Sequence, residues 1–231
     1  MKKTRLSLFI LPAMALVLVG AGCSGTVTPE AGAGEANTIE PVEETVVVEE
    51  AVQDGTITVD TDASIMTWSG AKKIGATHHG TIALSKGTLT LEAGKLTGGS
   101  VTIDMTTIKD LDLTRDSEVA MNAVMLETHL MSEDFFDVAA FPEATFDILA
   151  VTYTSDTTAD VTGNLTLHGV TNPVTLATTL EQKDGMWLAS AEVTLDRTLW
   201  NVNFGSGSLF KELGDAIIND EMIIAFNLEA K

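Results

Sequence analysis

From Thr56 onward the chain alternates between apolar and polar positions with a period of two. Ile57 and Val59 begin the pattern, and Leu89 and Leu91 continue it, followed by Val101, Ile103 and Met105. Phe146, Ile148 and Ala150 form the next set, then Val161, Leu165 and Leu167 with a gap at Gly163. Val174, Leu176 and Leu180 follow, then Trp187, Ala189, Ala191, Val193 and Leu195, and finally Met222, Ile224, Phe226 and Leu228. Alternation places each set on one face of a β-strand. The threonines between them suit extended backbone. Gly80, Gly87, Gly94 and Gly98-Gly99 punctuate the first half, and Asn172-Pro173 and Asp184-Gly185 the second. Asp184-Gly185 reads as a tight hairpin. About eight antiparallel strands with one apolar face must deal with their open edges, and closure into a barrel does so.

Two stretches break the period. From Asp116 to Leu130 the spacing becomes helical, with Val119, Ala123, Leu126 and Leu130 near one face. Ser132, followed by Glu133 and Asp134, is expected to cap a short turn carrying Phe135 and Phe136. A second short helix is expected at Ser208–Leu213. Helices set between barrel strands can cover an end of the barrel like a lid.

The first 55 residues follow another logic. Lys2, Lys3 and Arg5 precede an apolar run from Leu6 to Val19, which ends in Gly20-Ala21-Gly22-Cys23. This is the layout of a bacterial export signal over residues 1–22, too short for a confident membrane span. Cys23 is the chain's single cysteine, so an internal disulfide is excluded and lipid attachment to its thiol is expected. Residues 23–55, rich in Gly, Ala, Thr and Glu, read as an acidic tether, and residues 56–231 as one domain. The net charge is −20; losing the leader removes three basic residues and no acidic one, leaving −23. Such a surface repels nucleic acid, which is excluded as a partner.

Candidate chemistry is sparse. There is no nucleophile elbow, zinc-protease motif or phosphate loop. No metal ligation is expected, because His78, His79, His129 and His168 form no compact ligand motif. Asp104, Asp110, Asp112 and Asp116 lack the glycine and terminal glutamate of a calcium loop, and read as solvated carboxylates. Phe135, Phe136, Phe141 and Phe146, with Trp68, Trp187 and Trp200, read as core, lid or contacts to an apolar guest. Arg197 requires a partner if buried, either a carboxylate such as Asp104 or Asp196 or, instead, an oxygen of a bound guest. Alternation by itself does not distinguish a filled from a hollow barrel.

Several segments, in order, resemble the YceI-like lipid and polyisoprenoid-binding family. They are Trp68-Ser69-Gly70 with His79-Gly80, then Gly99 to Met105, then His129 to Asp137 with Phe141-Pro142 and Thr145-Phe146. Val161 to Thr171 with Pro173-Val174 comes next, then Asp196-Arg197 and Trp200-Asn201-Val202. The resemblance covers residues 56–231 and implies an all-β, lipocalin-like extended antiparallel barrel of about eight strands, with one or two short helices near an end. It implies an apolar tunnel taking an isoprenoid chain of the prenyl quinone or prenyl phosphate type, and no cofactor besides such a lipid. Trp68, His79, His129, Phe135, Phe136, Phe141, Phe146, His168, Arg197 and Trp200 are the expected pocket or mouth residues. Arg115-Asp116 is separated from His129-Leu130 here, whereas the family keeps such a pair adjacent. The leading reading is non-enzymatic binding, storage or transport of the lipid at the cell envelope. The chain would be anchored through Cys23, in the outer membrane facing the periplasm if the cell has two membranes. A filled scaffold or stress-response module, and a lipid-modifying isomerase or hydrolase, are the alternatives. An exposed strand edge would support a homodimer.

Overall fold

The computed structural model describes residues 54–116, 118, 122–210, 212 and 214–231. The expectations for the leader, Cys23 and most of the tether lie outside these residues, as do Val119 and Leu213. Among the described residues nine strands form one sheet: β1 (Gly55–Thr58), β2 (Ile65–Lys72), β3 (Thr77–Glu92), β4 (Lys95–Asp110), β5 (Glu143–Tyr153), β6 (Thr158–Leu167), β7 (Val170–Lys183), β8 (Met186–Asp196) and β9 (Ile218–Ala230). Every pairing between these strands is antiparallel. The order β3-β2-β9-β8-β7-β6-β5-β4 closes through a β3–β4 ladder into an eight-stranded barrel, and β1 lies along β3. The barrel and its count of eight strands agree with the expectation, but the sets differ in two places. Ile57 and Val59 mark β1 beside the barrel while β2 carries no set, and an irregularity after Ile148 leaves Ala150 exposed and packs Val151 against the core.

Hairpin chemistry explains several of the turns. Asp184 and Gly185 have φ of 53° and 76°, the left-handed pair that a type I′ hairpin requires between β7 and β8. His168-Gly169, with φ of 50° and 72°, makes the same turn between β6 and β7. The break expected at Asn172-Pro173 is therefore absent, and Pro173 sits inside β7 opposite Asn164. A proline is tolerated there because the β7–β8 ladder covers only Thr179–Lys183. The missing N–H thus leaves no ladder bond unmade on that side.

That short ladder marks one end of the barrel as splayed. Residues 170–178 of β7 pair only with β6, and Ala191–Asp196 of β8 only with β9. The β4–β5 ladder likewise stops at Asp104, six residues before β4 ends. Irregular elements fill both gaps. A 3-10 turn at Arg197–Trp200 tucks against β7, with Asn172 Nδ2 donating to Leu199 O (2.8 Å) and Trp200 Nε1 donating to Leu165 O (3.0 Å). The one α-helix among the described residues, α1 (Ala123–Met131), packs against β4.

The helix begins later than its spacing predicts. Asn122 is the N-cap, its side chain accepting the Met125 N–H at 3.0 Å. Asp116 instead closes a local turn by accepting the Glu118 N–H. Ala123, Glu127 and Leu130 form the buried face. Ser132 does not cap the following turn through its hydroxyl; it donates back to His129 O and closes α1. No helix forms at the described residues of 208–213, where Ser206 Oγ pairs with Ser208 Oγ and accepts the Leu209 N–H in a serine turn. A 3-10 turn follows at Gly214–Ala216.

Candidate functional site

Inward alternation leaves the barrel hollow. A cavity of about 200 Å³ runs along its interior. Its wall is almost wholly aliphatic and aromatic, built from Met66, Val161, Leu176, Val193, Ile224 and their strand neighbours. Small side chains leave that room: Ala144, Ala189, Val161 and Val193 face it where larger residues would fill it. Phe146 lies across Gly163, whose missing side chain gives the ring its place; a Cβ there would come within 2.6 Å of Phe146 Cζ.

The polar lining is short: Ser69, Thr178, Arg197, Asn219 and Glu221. Arg197, Asn219 and Glu221 lie together, since Glu221 pairs with Asp196 across the β8–β9 ladder. This is the splayed end, where Leu130, Phe135 and Phe136 close over the cavity from α1 and the turn behind it.

Arg197 is 3% exposed and organises that end. Its guanidinium donates to Asn219 O (3.0 Å), Val202 O (2.5 Å) and Ile218 O (3.2 Å), lies 3.7 Å from Asp220 Oδ1, and stacks 5.4 Å from the Phe135 ring centre. Neither expected partner fills that place. Asp104 accepts from Thr106, and Asp196 caps the 3-10 turn by accepting from Thr198. Burial lowers the Arg197 pKa below its ordinary value, against the opposing pull of Asp220 and Asp196. Burial would raise Asp220, but hydrogen bonds from Ser206 and Ser208 and the Arg197 charge outweigh it and hold that carboxyl low.

Of the residues expected at the pocket, Trp68, Phe135, Phe136, Phe146 and Arg197 line the cavity. The others lie elsewhere. His168 sits in the β6–β7 turn with its Nδ1 3.0 Å from Trp200 O and Phe141 edge-on at 5.1 Å. Trp200 is buried beneath the 3-10 turn. His129 is on the outer side of the lid, between Phe135 (5.2 Å) and Phe204 (4.7 Å), with Asp134 at 3.7 Å. His79 is largely exposed, its backbone N–H donating to Asp112 Oδ1. Asn219 and Glu221 escaped the sequence reading because they are exposed, polar positions of β9, alternating with Ile218, Asp220 and Met222, that touch the cavity only at its splayed mouth.

A second constellation lies outside the cavity. Asp110 ends β4 opposite the start of β3 and Asp112 follows just beyond it, so they meet His78, whose Nδ1 is 2.9 Å from Asp112 Oδ2. Burial raises the Asp110 pKa. The close approach and charge of its neighbour Asp112 add to the rise, against the Leu113 N–H and His78. Asp112 is held low: hydrogen bonds from the His79 N–H, His78 and Asp110 outweigh its burial. Close by, Glu127 of α1 accepts the Asp110 N–H (2.9 Å) and pairs with Arg115 at 2.6 Å. Asp104 and Asp116 stand apart in their own turns.

An antiparallel barrel closed around an apolar tunnel, with most of its few polar groups at one lidded end, defines a hollow-barrel protein. The model of the YceI-like domain matches residues 57–230, and the chain belongs to that family. A UPF0312 protein of Pseudomonas savastanoi pv. phaseolicola is 38% identical over 108 residues, 46% of this chain and 52% of the relative. The corresponding protein of Pseudomonas putida strain W619 is 39% identical over the same length. The match thus spans about half the length of these relatives. Among solved structures, BcnA of Burkholderia cenocepacia superposes with a TM-score of 0.59 at 24% identity, over 75% of this chain and 99% of its own. A polyisoprenoid binding domain from Saccharophagus degradans gives 0.57 at 14% identity, over 78% and 99%. At these identities the likeness is one of fold.

Proposed function

We propose that the protein binds a long-chain isoprenoid lipid in its barrel without transforming it, as a carrier or store at the cell envelope. The apolar tunnel, whose polar groups other than Thr178 gather at one end, carries this reading. The family, and the neighbouring fold named for polyisoprenoid binding, support it. So do the export-type leader and Cys23, which would anchor the chain to a membrane. No histidine is among the lining residues, which favours binding over acid–base catalysis.

Magnitudes favour a long chain. Each buried methylene yields ~0.8 kcal/mol, so ten give roughly 8 kcal/mol. Association costs about 4–15 kcal/mol. A guest therefore has to bury well over ten carbons to be held. The lidded end favours an uncharged head. Three of the Arg197 donors already serve backbone carbonyls, and Asp220 and Glu221 oppose a phosphate. A prenyl quinone fits this environment better than a prenyl phosphate.

The test is to extract the purified full chain with organic solvent, identify the lipid by mass spectrometry, and titrate the delipidated protein with a prenyl quinone. One equivalent of lipid is expected. Val193→Trp, which fills the tunnel, should weaken binding at least about tenfold while the circular dichroism spectrum is kept. Equal binding by the filled variant, or no binding by the wild type, would mean that the barrel interior is not a lipid site.

A further inference from the structure

We propose that His78, Asp110 and Asp112 form a binding site for one divalent transition-metal ion, of the zinc class, on the outside of the barrel where β3 begins and β4 ends. One ligand atom from each residue lies within 4.8 Å of the others. A zinc ion bound tetrahedrally at ~2.0–2.1 Å spaces its ligands about 3.3 Å apart, so small side-chain rotations bring these three onto one ion. Imidazole nitrogen with carboxylate oxygen is a donor set suited to zinc or its neighbours, whereas calcium favours oxygen alone.

The observation that points to a ligand is Asp110. It is 3% exposed, and its Oδ1 accepts the Leu113 N–H at 2.7 Å. Its Oδ2 is shielded from solvent and meets no hydrogen-bond donor group among the described residues. A buried carboxylate oxygen without a donor costs about 1–3 kcal/mol, more when charged. Two carboxylates facing each other repel unless something positive, a proton or a metal ion, lies between them. A metal ion would satisfy the orphan oxygen, join the two carboxylates and replace the proton between His78 and Asp112.

The surroundings are already arranged to hold the ligands. Asp112 is oriented by the His79 N–H at 2.8 Å. Asp110 is held through its own N–H by Glu127, which Arg115 fixes in turn. Fixed ligands of this kind raise metal affinity by limiting what must be ordered on binding. Water molecules would complete the coordination, leaving the ion open on its outer side. Because β3 and the connection into α1 meet here, the ion would also tie the lid helix to the barrel wall.

Isothermal titration of the chelator-treated full chain with zinc chloride tests the site. One equivalent is expected to bind with a micromolar or tighter Kd and to raise the melting temperature. Asp110→Asn and His78→Gln should each weaken binding at least about tenfold, and Asp104→Asn should leave it unchanged. X-ray absorption of the zinc-loaded wild type should show one imidazole, absent from His78→Gln. His78 contributes little to the core, so that variant carries the test if Asp110→Asn unfolds. No saturable uptake would mean that the carboxyl pair is served by a proton alone. Uptake unchanged in His78→Gln would mean scattered binding to an acidic surface. Either result overturns the proposal.

Discussion

Gly163 shows how a single position shapes the cavity. In the sequence it is a gap in an otherwise regular apolar set, and in the barrel it is the place where the Phe146 ring lies flat against the wall. A methyl group there would meet Asp147 O at 2.5 Å and Phe146 Cζ at 2.6 Å. Gly163→Ala is therefore expected to lower stability by about 1–3 kcal/mol, read as an earlier urea midpoint. An unchanged midpoint would show that Phe146 moves freely. Arg197 makes the complementary point. The need of a buried arginine for partners was legible from its type. That backbone carbonyls and Asp220 would meet the need depends on strands and turns brought together from distant parts of the chain.

Among the elements, strands were legible and their interruptions less so. A period of two reports burial on one face whatever the neighbouring strand is, so seven of the eight barrel strands carry a set in the sequence; β2 does not, and Ala150 falls out of phase where β5 is irregular. Turn and helix limits depend on local competitors. Pro173 reads as a breaker, yet it lies within β7 because the barrel opens beside it. The start of α1 is decided by Asn122, not by apolar spacing. Asn122→Ala should accordingly lower stability by about 1 kcal/mol. Chemical denaturation followed by circular dichroism checks this, and a change below a few tenths would show that the cap does not limit the helix.

For the molecule as a whole, acid stability follows from the clasp at the lidded end. The Asp220 pKa is lower in the folded state than in the unfolded chain, so its contribution is complete above the ordinary carboxylate range. It is lost as the pH falls through the depressed value. Asp112 and Glu127 act in the same direction, and Asp110, held high, in the opposite one. Asp220→Asn should thus flatten the fall in melting temperature between about pH 5 and pH 2, and an unaltered slope would remove Asp220 from the account. The all-β class and inward apolar faces follow from the sequence by itself, because alternation and hairpin residues are local signals. The ordered motifs were sufficient to show the family resemblance. Tertiary structure decided that the barrel is hollow, which end is splayed and lidded, and that His78 meets Asp110 and Asp112. These depend on register and on the distance between strands, which no single stretch of sequence contains.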